Sequence, residues 1–261
     1  MSPSAPTRCA TGPDGVRLAY DVCGTGPALV LLPGHSDDRR VWHAAGYVHH
    51  LRDHCTVICL DPRGQGESDR PRDPAAYALE RVLADVCAVA DACGRERFAV
   101  WGYSFGGTVA LQLAARCPRV TRAVAGGCHF GRIYDEALVA RSAAQAWAVA
   151  DAKDAGRLDE LPLTPQQRAV AERIDIPAHI ACLRALPGWP VVEPGDLRCP
   201  TYVYAGADDA LVAPELEPRR GAIEAAGSVL HLIPGLDHAT AFSAAAAVVP
   251  PVLAFLPGTA V

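Results

Sequence analysis

Apolar residues in this chain come in short runs of two kinds, separated by turn-forming residues. Val16 to Val22 alternates apolar and polar positions and stops at Gly24-Thr25-Gly26-Pro27. Ala28 to Leu32, Cys55 to Leu60, Phe98 to Trp101, Val120 to Ala125, Thr201 to Tyr204 and Val229 to Ile233 are mostly continuous, and each runs into a turn containing Gly or Pro. Continuous apolar runs of this length predict strands covered on both faces, since a strand with one wet face alternates. Helical spacing appears between them. Leu79 to Cys93 sets Val82, Leu83, Val86, Val89 and Ala90 on one stripe, and Thr108 to Cys117 is apolar up to Pro118. The repetition of strand, helix and strand predicts an α/β fold with a mostly parallel central sheet and helices on both faces.

One stretch breaks the rhythm. Residues 131–194 contain no convincing strand, only helical patterns such as Asp135 to Ala152 and Pro165 to Ile174, with a polar turn at Lys153-Asp154-Ala155-Gly156. This is too long for an ordinary connecting loop. The expected organisation is a sheet-based core in two parts, residues 1–130 and 195–261, with 131–194 inserted as a helical lid.

Composition narrows the function classes. The chain has 261 residues, 50% hydrophobic and 20% charged, with a net charge of −5 and no Lys/Arg run to follow a phosphate backbone, so a nucleic-acid partner is not expected. No apolar stretch is long enough to span a bilayer; the tail from Ala244 to Leu256 is short and interrupted by Pro250-Pro251. The start, Met1 to Arg8, lacks the pattern of a secretion signal, which makes a cytoplasmic location without membrane attachment the expectation. Ten cysteines lie between Cys9 and Cys199 with no Cys-x-x-Cys pair, and are expected to be reduced and mostly buried. His49, His50 and His54 cluster without completing a metal-ligand pattern, and are expected at the surface.

The strongest chemical signal is Gly102-Tyr103-Ser104-Phe105-Gly106-Gly107, between a predicted strand and a predicted helix. Small residues on both sides of a serine allow a tight strand-to-helix turn that exposes the hydroxyl. The helix that follows points its N-terminal N–H groups and positive dipole end at the same place.

With this motif the chain resembles the α/β-hydrolase family over nearly its whole length. That family orders its residues as nucleophile, acid, base. The resemblance implies Ser104 as nucleophile, an acid in Ala207-Asp208-Asp209 after one late strand, and His238 as base after the next. Asp209 is preferred because the acid usually lies three residues after the glycine, here Gly206; Asp208 is expected to cap or brace the loop. Leu31-Leu32-Pro33-Gly34-His35 matches the oxyanion loop, implying backbone N–H donors from His35 and Phe105, with Pro33 in place of the usual histidine. Asp61-Pro62-Arg63-Gly64-Gln65-Gly66-Glu67-Ser68 resembles a further signature loop and is expected to tie loops together near the active edge.

These assignments lead to an expected serine esterase, hydrolysing a small or medium, mostly apolar carboxylic ester or lactone through an acyl-enzyme, with no metal or other cofactor. His129, Tyr134, Trp147 and Leu211 are the expected pocket residues. Carbon–carbon bond hydrolysis and acyl transfer or cyclisation remain open on the same triad, as does a non-catalytic ligand-binding protein on the same scaffold. Oligomeric state is not legible from sequence.

Overall fold

The computed structural model describes residues 6–256; the first five residues, part of the segment considered above as a secretion signal, lie outside the described residues. Its strands are β1 (Arg8–Thr11), β2 (Arg17–Cys23), β3 (Ala28–Leu32), β4 (Thr56–Leu60), β5 (Phe98–Tyr103), β6 (Val120–Gly126), β7 (Thr201–Gly206) and β8 (Val229–Ile233). They form one sheet in the order β1-β2-β4-β3-β5-β6-β7-β8. The β1/β2 and β2/β4 pairs are antiparallel and the other pairs are parallel. The helices are α1 (Arg40–Ala44), α2 (Tyr47–Leu51), α3 (Leu79–Ala92), α4 (Phe105–Arg116), α5 (Glu136–Asp154), α6 (Pro165–Arg173), α7 (Ile176–Ala185), α8 (Ala213–Leu216), α9 (Arg220–Ala225), α10 (His238–Ser243) and α11 (Ala245–Phe255).

The continuous apolar runs have the predicted cause. Every residue of β3, β4, β5 and β7 is buried. Alternate residues belong to different cores: Val30, Leu32, Ile58 and Val100 pack with Val82, Val86 and Val109, whereas Leu29, Leu31, Val57 and Trp101 pack with Trp42, Tyr47 and Val248. The two-residue period of a strand therefore feeds α3 and α4 on one face and α2 and α11 on the other.

Two elements depart from expectation. β1 has only four residues, three of them exposed, so no hydrophobic pattern announces it. The tail at Pro250-Pro251 is a single helix, α11, in spite of both prolines. Burial of Val248, Val249 and Val252 against the sheet offsets the missing N–H donors, each interior proline costing roughly 3 kcal/mol.

Residues between β6 and β7 carry α5, α6 and α7 and no strand. Asp135 caps α5 by accepting from the Leu138 N–H at 2.6 Å, and Thr164 caps α6 through a reciprocal box with Gln167. All ten cysteines are free; Cys55, Cys59, Cys128 and Cys182 are buried, five are half-buried and Cys9 is exposed. No helix among the described residues is long and apolar enough to cross a membrane.

Candidate active site

The site lies at the carboxyl end of the parallel strands, where the chain leaves β5, β7 and β8. Ser104 follows β5 with φ 54° and ψ −115°, one of two non-glycine residues at positive φ among the described residues; the other is Ser36 at φ 73°. Such backbone is strained for any residue with a Cβ and has to be held in place by its surroundings. Those surroundings are the glycines. A Cβ on Gly102 would run into the Gly106 carbonyl, and one on Gly106 into the Leu32 carbonyl. The motif thus packs a helix start directly on two strand ends. The Ser104 N–H donates to Gly126 O at 2.8 Å and Thr108 N–H donates to Ser104 O at 3.0 Å, anchoring the turn on both sides.

Ser104 Oγ lies 3.2 Å from Nε2 of His238, whose Nδ1 lies 2.6 Å from Asp209 Oδ2. Asp209 is buried, and its other oxygen accepts the Leu211 and Val212 N–H groups at 3.1 and 3.2 Å. The carboxylate is therefore fixed by backbone and orients the imidazole from behind. His238 begins α10, positioned by the Asp237 cap, which accepts the Thr240 N–H at 2.8 Å. The Tyr103 hydroxyl donates to the His238 carbonyl and holds the same turn. Of the paired acids, Asp209 meets the histidine. Asp208 is exposed, and among the described residues only its backbone braces the loop, through an N–H bond to Leu236 O at 2.9 Å.

The loop after β3 comes beside this chain. A Cβ on Gly34 would sit 3.6 Å from Ser104 Cβ, and the His35 ring lies 5.2 Å from that of Phe105. Phe105 opens α4, so its N–H belongs to the first turn, where helix donors lack an internal acceptor. The Asp61–Ser68 loop supports this arrangement. In the amide orientation that satisfies both groups, the Gln65 side-chain nitrogen donates to Gly34 O at 2.9 Å and to Asp37 O. Asp61 accepts the Arg39 N–H at 2.6 Å and also pairs with the Arg39 guanidinium. Arg63 pairs with Asp85 and Asp14 at 2.6 and 2.8 Å. Arg63 and Asp61 each tie a different loop to the core.

Two cavities with part of their lining in common flank the loop after β3. An open cleft of about 880 Å³ runs under α5 and α6, lined on the sheet side by His35 of the loop after β3 and by Ala239, the residue after His238. Its cap wall is mainly apolar, including Val149, Leu163 and Ile174. A polar chamber of about 60 Å³ shares His35, Ser36, Asp37, Ile174 and His179 with it. Burial pushes the Asp37 carboxyl up to about 6 in spite of Arg173 nearby, and pushes His179 down to about 4.

The pocket residues expected from sequence are corrected. None of His129, Tyr134, Trp147 and Leu211 lines either cavity. His129 folds back so that Nδ1 lies 2.6 Å from Phe130 O. Tyr134 lines a separate small cavity with Thr108 and Trp189. Trp147 is turned outward on α5, 43% exposed, because that helix has no strong apolar stripe to bury it. Leu211 is 81% exposed because its N–H bonds to Asp209 and leaves the side chain facing away from the core. In their place stand His179, Asp37 and Ile174, which no sequence motif marks; Asp37 lies on the loop after β3 itself, and His179 and Ile174 meet that loop only through the folding of the insertion. Among the described residues one group could bring metal-ligand atoms together, Asp21, His43 and Cys59, but Asp21 already pairs with Arg39 and His43.

Residues 27–126 match a family model described as the alpha/beta hydrolase fold. Over 107 residues, 41% of the chain, it is 36% identical to an uncharacterized protein of Mycobacterium tuberculosis (strain ATCC 25618 / H37Rv), and the match covers 30% of that protein's length. Among solved structures, the bottromycin epimerase BotH superposes with a TM-score of 0.79 at 28% identity, covering 96% of this chain and 99% of its own. A hydrolase from Pseudomonas aeruginosa PA01 superposes with a TM-score of 0.77 at 25% identity, covering 96% and 98%.

Proposed function

Given that the chain belongs to the α/β-hydrolase fold family, we propose that it is a serine hydrolase acting on a carboxylic ester or lactone with a mostly apolar body. One observation carries the proposal: the continuous hydrogen-bonded chain from Ser104 Oγ through His238 to the buried Asp209. A free serine hydroxyl is a weak nucleophile, and an imidazole oriented by a carboxylate is what activates it. A protein that only bound a ligand would have no use for it.

Ser104 Oγ attacks the carbonyl carbon as its proton passes to His238 Nε2, and Asp209 stabilises the imidazolium through Nδ1. The N–H groups of His35 and Phe105 receive the oxyanion. His238 then returns the proton to the leaving alkoxide, giving an acyl-serine. Water, deprotonated by the same nitrogen, attacks the acyl carbon; His238 then passes that proton to the departing Ser104 Oγ, which releases the acid and restores the starting protonation of the triad. The cleft of about 880 Å³ lies within the range that accommodates medium-sized organic ligands, and its apolar cap wall suits an alkyl or ring substituent.

The test is labelling with a fluorophosphonate, followed by turnover of p-nitrophenyl esters of increasing chain length, lactones, a thioester and a vinylogous diketone. Labelling that vanishes in Ser104→Ala, with turnover of esters or lactones, is the expected result. Cleavage of the diketone alone would move the protein to carbon–carbon hydrolysis. No labelling and no turnover would favour a binding protein.

A further inference from the structure

His35 brings both a backbone N–H and an imidazole to the site, and the reaction above uses only the first. The ring sits between Phe105 and His179 of α7, stacked on the latter with centroids 4.1 Å apart and planes at 23°. His179 has a hydrogen-bond partner, its Nδ1 lying 3.1 Å from Ser36 Oγ. The ring nitrogens of His35 bond to no described residue. They are not sealed inside the protein either: the buried side-chain polar atoms without a partner among the described residues are Trp42 Nε1, Gln112 Oε1 and Arg122 Nε. His35 lines both cavities, so its ring is within reach of a molecule bound in either.

A polar edge with no protein partner needs water or a ligand to supply the missing bond. The kind of ligand follows from charge. Burial, and His179 beside it, hold His35 well below its ordinary value, and burial holds His179 at about 4. Both rings are neutral near pH 7. A neutral imidazole offers one donor and one acceptor, which can serve a hydroxyl or a carbonyl oxygen, and it carries no net charge to favour a carboxylate over them.

We infer that the His35 imidazole, held by its stack on His179, determines specificity by hydrogen-bonding an uncharged hydroxyl or oxo group that the substrate carries a few bonds from its scissile carbonyl. The inference rests on the serine hydrolase reading, because the His35 N–H is assigned there to the carbonyl oxygen. That assignment limits its ring to substituents close to the same carbonyl. The substrate class becomes a 3-hydroxy- or 3-oxoacyl ester or lactone whose apolar remainder lies along α5 and α6.

A matched pair of slowly reacting ligands tests this: 3-hydroxydecanamide and decanamide, titrated calorimetrically into the wild-type protein, His35→Phe and His35→Gln. The wild type should prefer the hydroxylated amide about three- to tenfold, the value of one neutral hydrogen bond. His35→Phe keeps the aromatic stack and should bind the two amides alike, while His35→Gln, which can still donate and accept, should keep part of the preference. His35→Leu replaces the phenylalanine variant should that one fail to fold. No preference in the wild type, or a preference that survives removal of the imidazole, overturns the inference. Fluorophosphonate labelling on the same preparation separates the two readings. Labelling without preference sinks the recognition alone, and preference without labelling supports the recognition and sinks the hydrolase reading.

Discussion

The two walls of the site are built on different principles. The sheet wall places Ser104, Asp209 and His238 at the ends of β5, β7 and β8, and backs them with glycines that tolerate no Cβ and with buried ion pairs such as Arg39–Asp61 and Arg63–Asp85. The cap wall is looser. Of the 19 residues of α5, only Val139, Ala143 and Ala152 are buried, and the cap's own apolar cluster centres on Ala143, Ile176 and Ile180. Rigid elements hold reacting groups to the tolerance chemistry requires, whereas a thinly packed cover can change its lining at little cost to the fold. Changes in the sheet wall should therefore act on the chemical step, and changes in the cap on binding.

The sharpest way to break this contrast is at the sheet wall. Ser104→Ala should lower kcat for any turned-over ester by roughly 10⁴- to 10⁶-fold with little change in KM. Next, Asp209→Asn should cost about 10⁴-fold in kcat, whereas Asp208→Asn, whose side chain faces solvent, should leave it unchanged; equal losses would mean the acid is misassigned. A third effect lies where the walls meet. The folded pKa of His179 is depressed from 6.5 to about 4, so its contribution to stability is present above pH 6.5 and is lost as pH falls toward 4, on the order of 3 kcal/mol. Asp37 has its pKa raised from 3.8 to about 6, so its contribution runs the other way, fullest at low pH and lost as pH rises through 6. Melting temperatures measured from pH 7 to 4 should fall less steeply in His179→Leu and more steeply in Asp37→Asn. The smallest effect belongs to the cap. Ile174→Ala should raise KM for an apolar ester about tenfold while kcat holds, and a fall in kcat instead would show that the cap takes part in positioning the reacting atoms.

How much of this was legible in the chain follows from how local each cause is. Mostly continuous apolar runs marked six of the eight strands and alternation marked β2, while four-residue β1 at the edge could not be read. The Ser104 turn was legible because Gly102 and Gly106 answer a steric demand within a few residues. The order of the three candidate catalytic groups came from family likeness rather than from any physical signal, and the choice of Asp209 over Asp208 rested on its spacing from Gly206. The pocket was not legible. Trp147 and Leu211 look like lining residues by composition, yet the direction a side chain takes depends on neighbours distant in sequence, and both point to solvent.

The sequence by itself determined the layered α/β architecture, the strained turn at Ser104 and the helical character of residues 131–194, because periodicity, glycine sterics and capping act over a handful of residues. Only the tertiary structure decided that His179 would stack on His35, that Asp37 would be buried enough to titrate near neutrality, and that the His35 ring would face the cleft. Those outcomes depend on how the insertion folds back over the sheet, a packing of segments more than a hundred residues apart that no local pattern encodes.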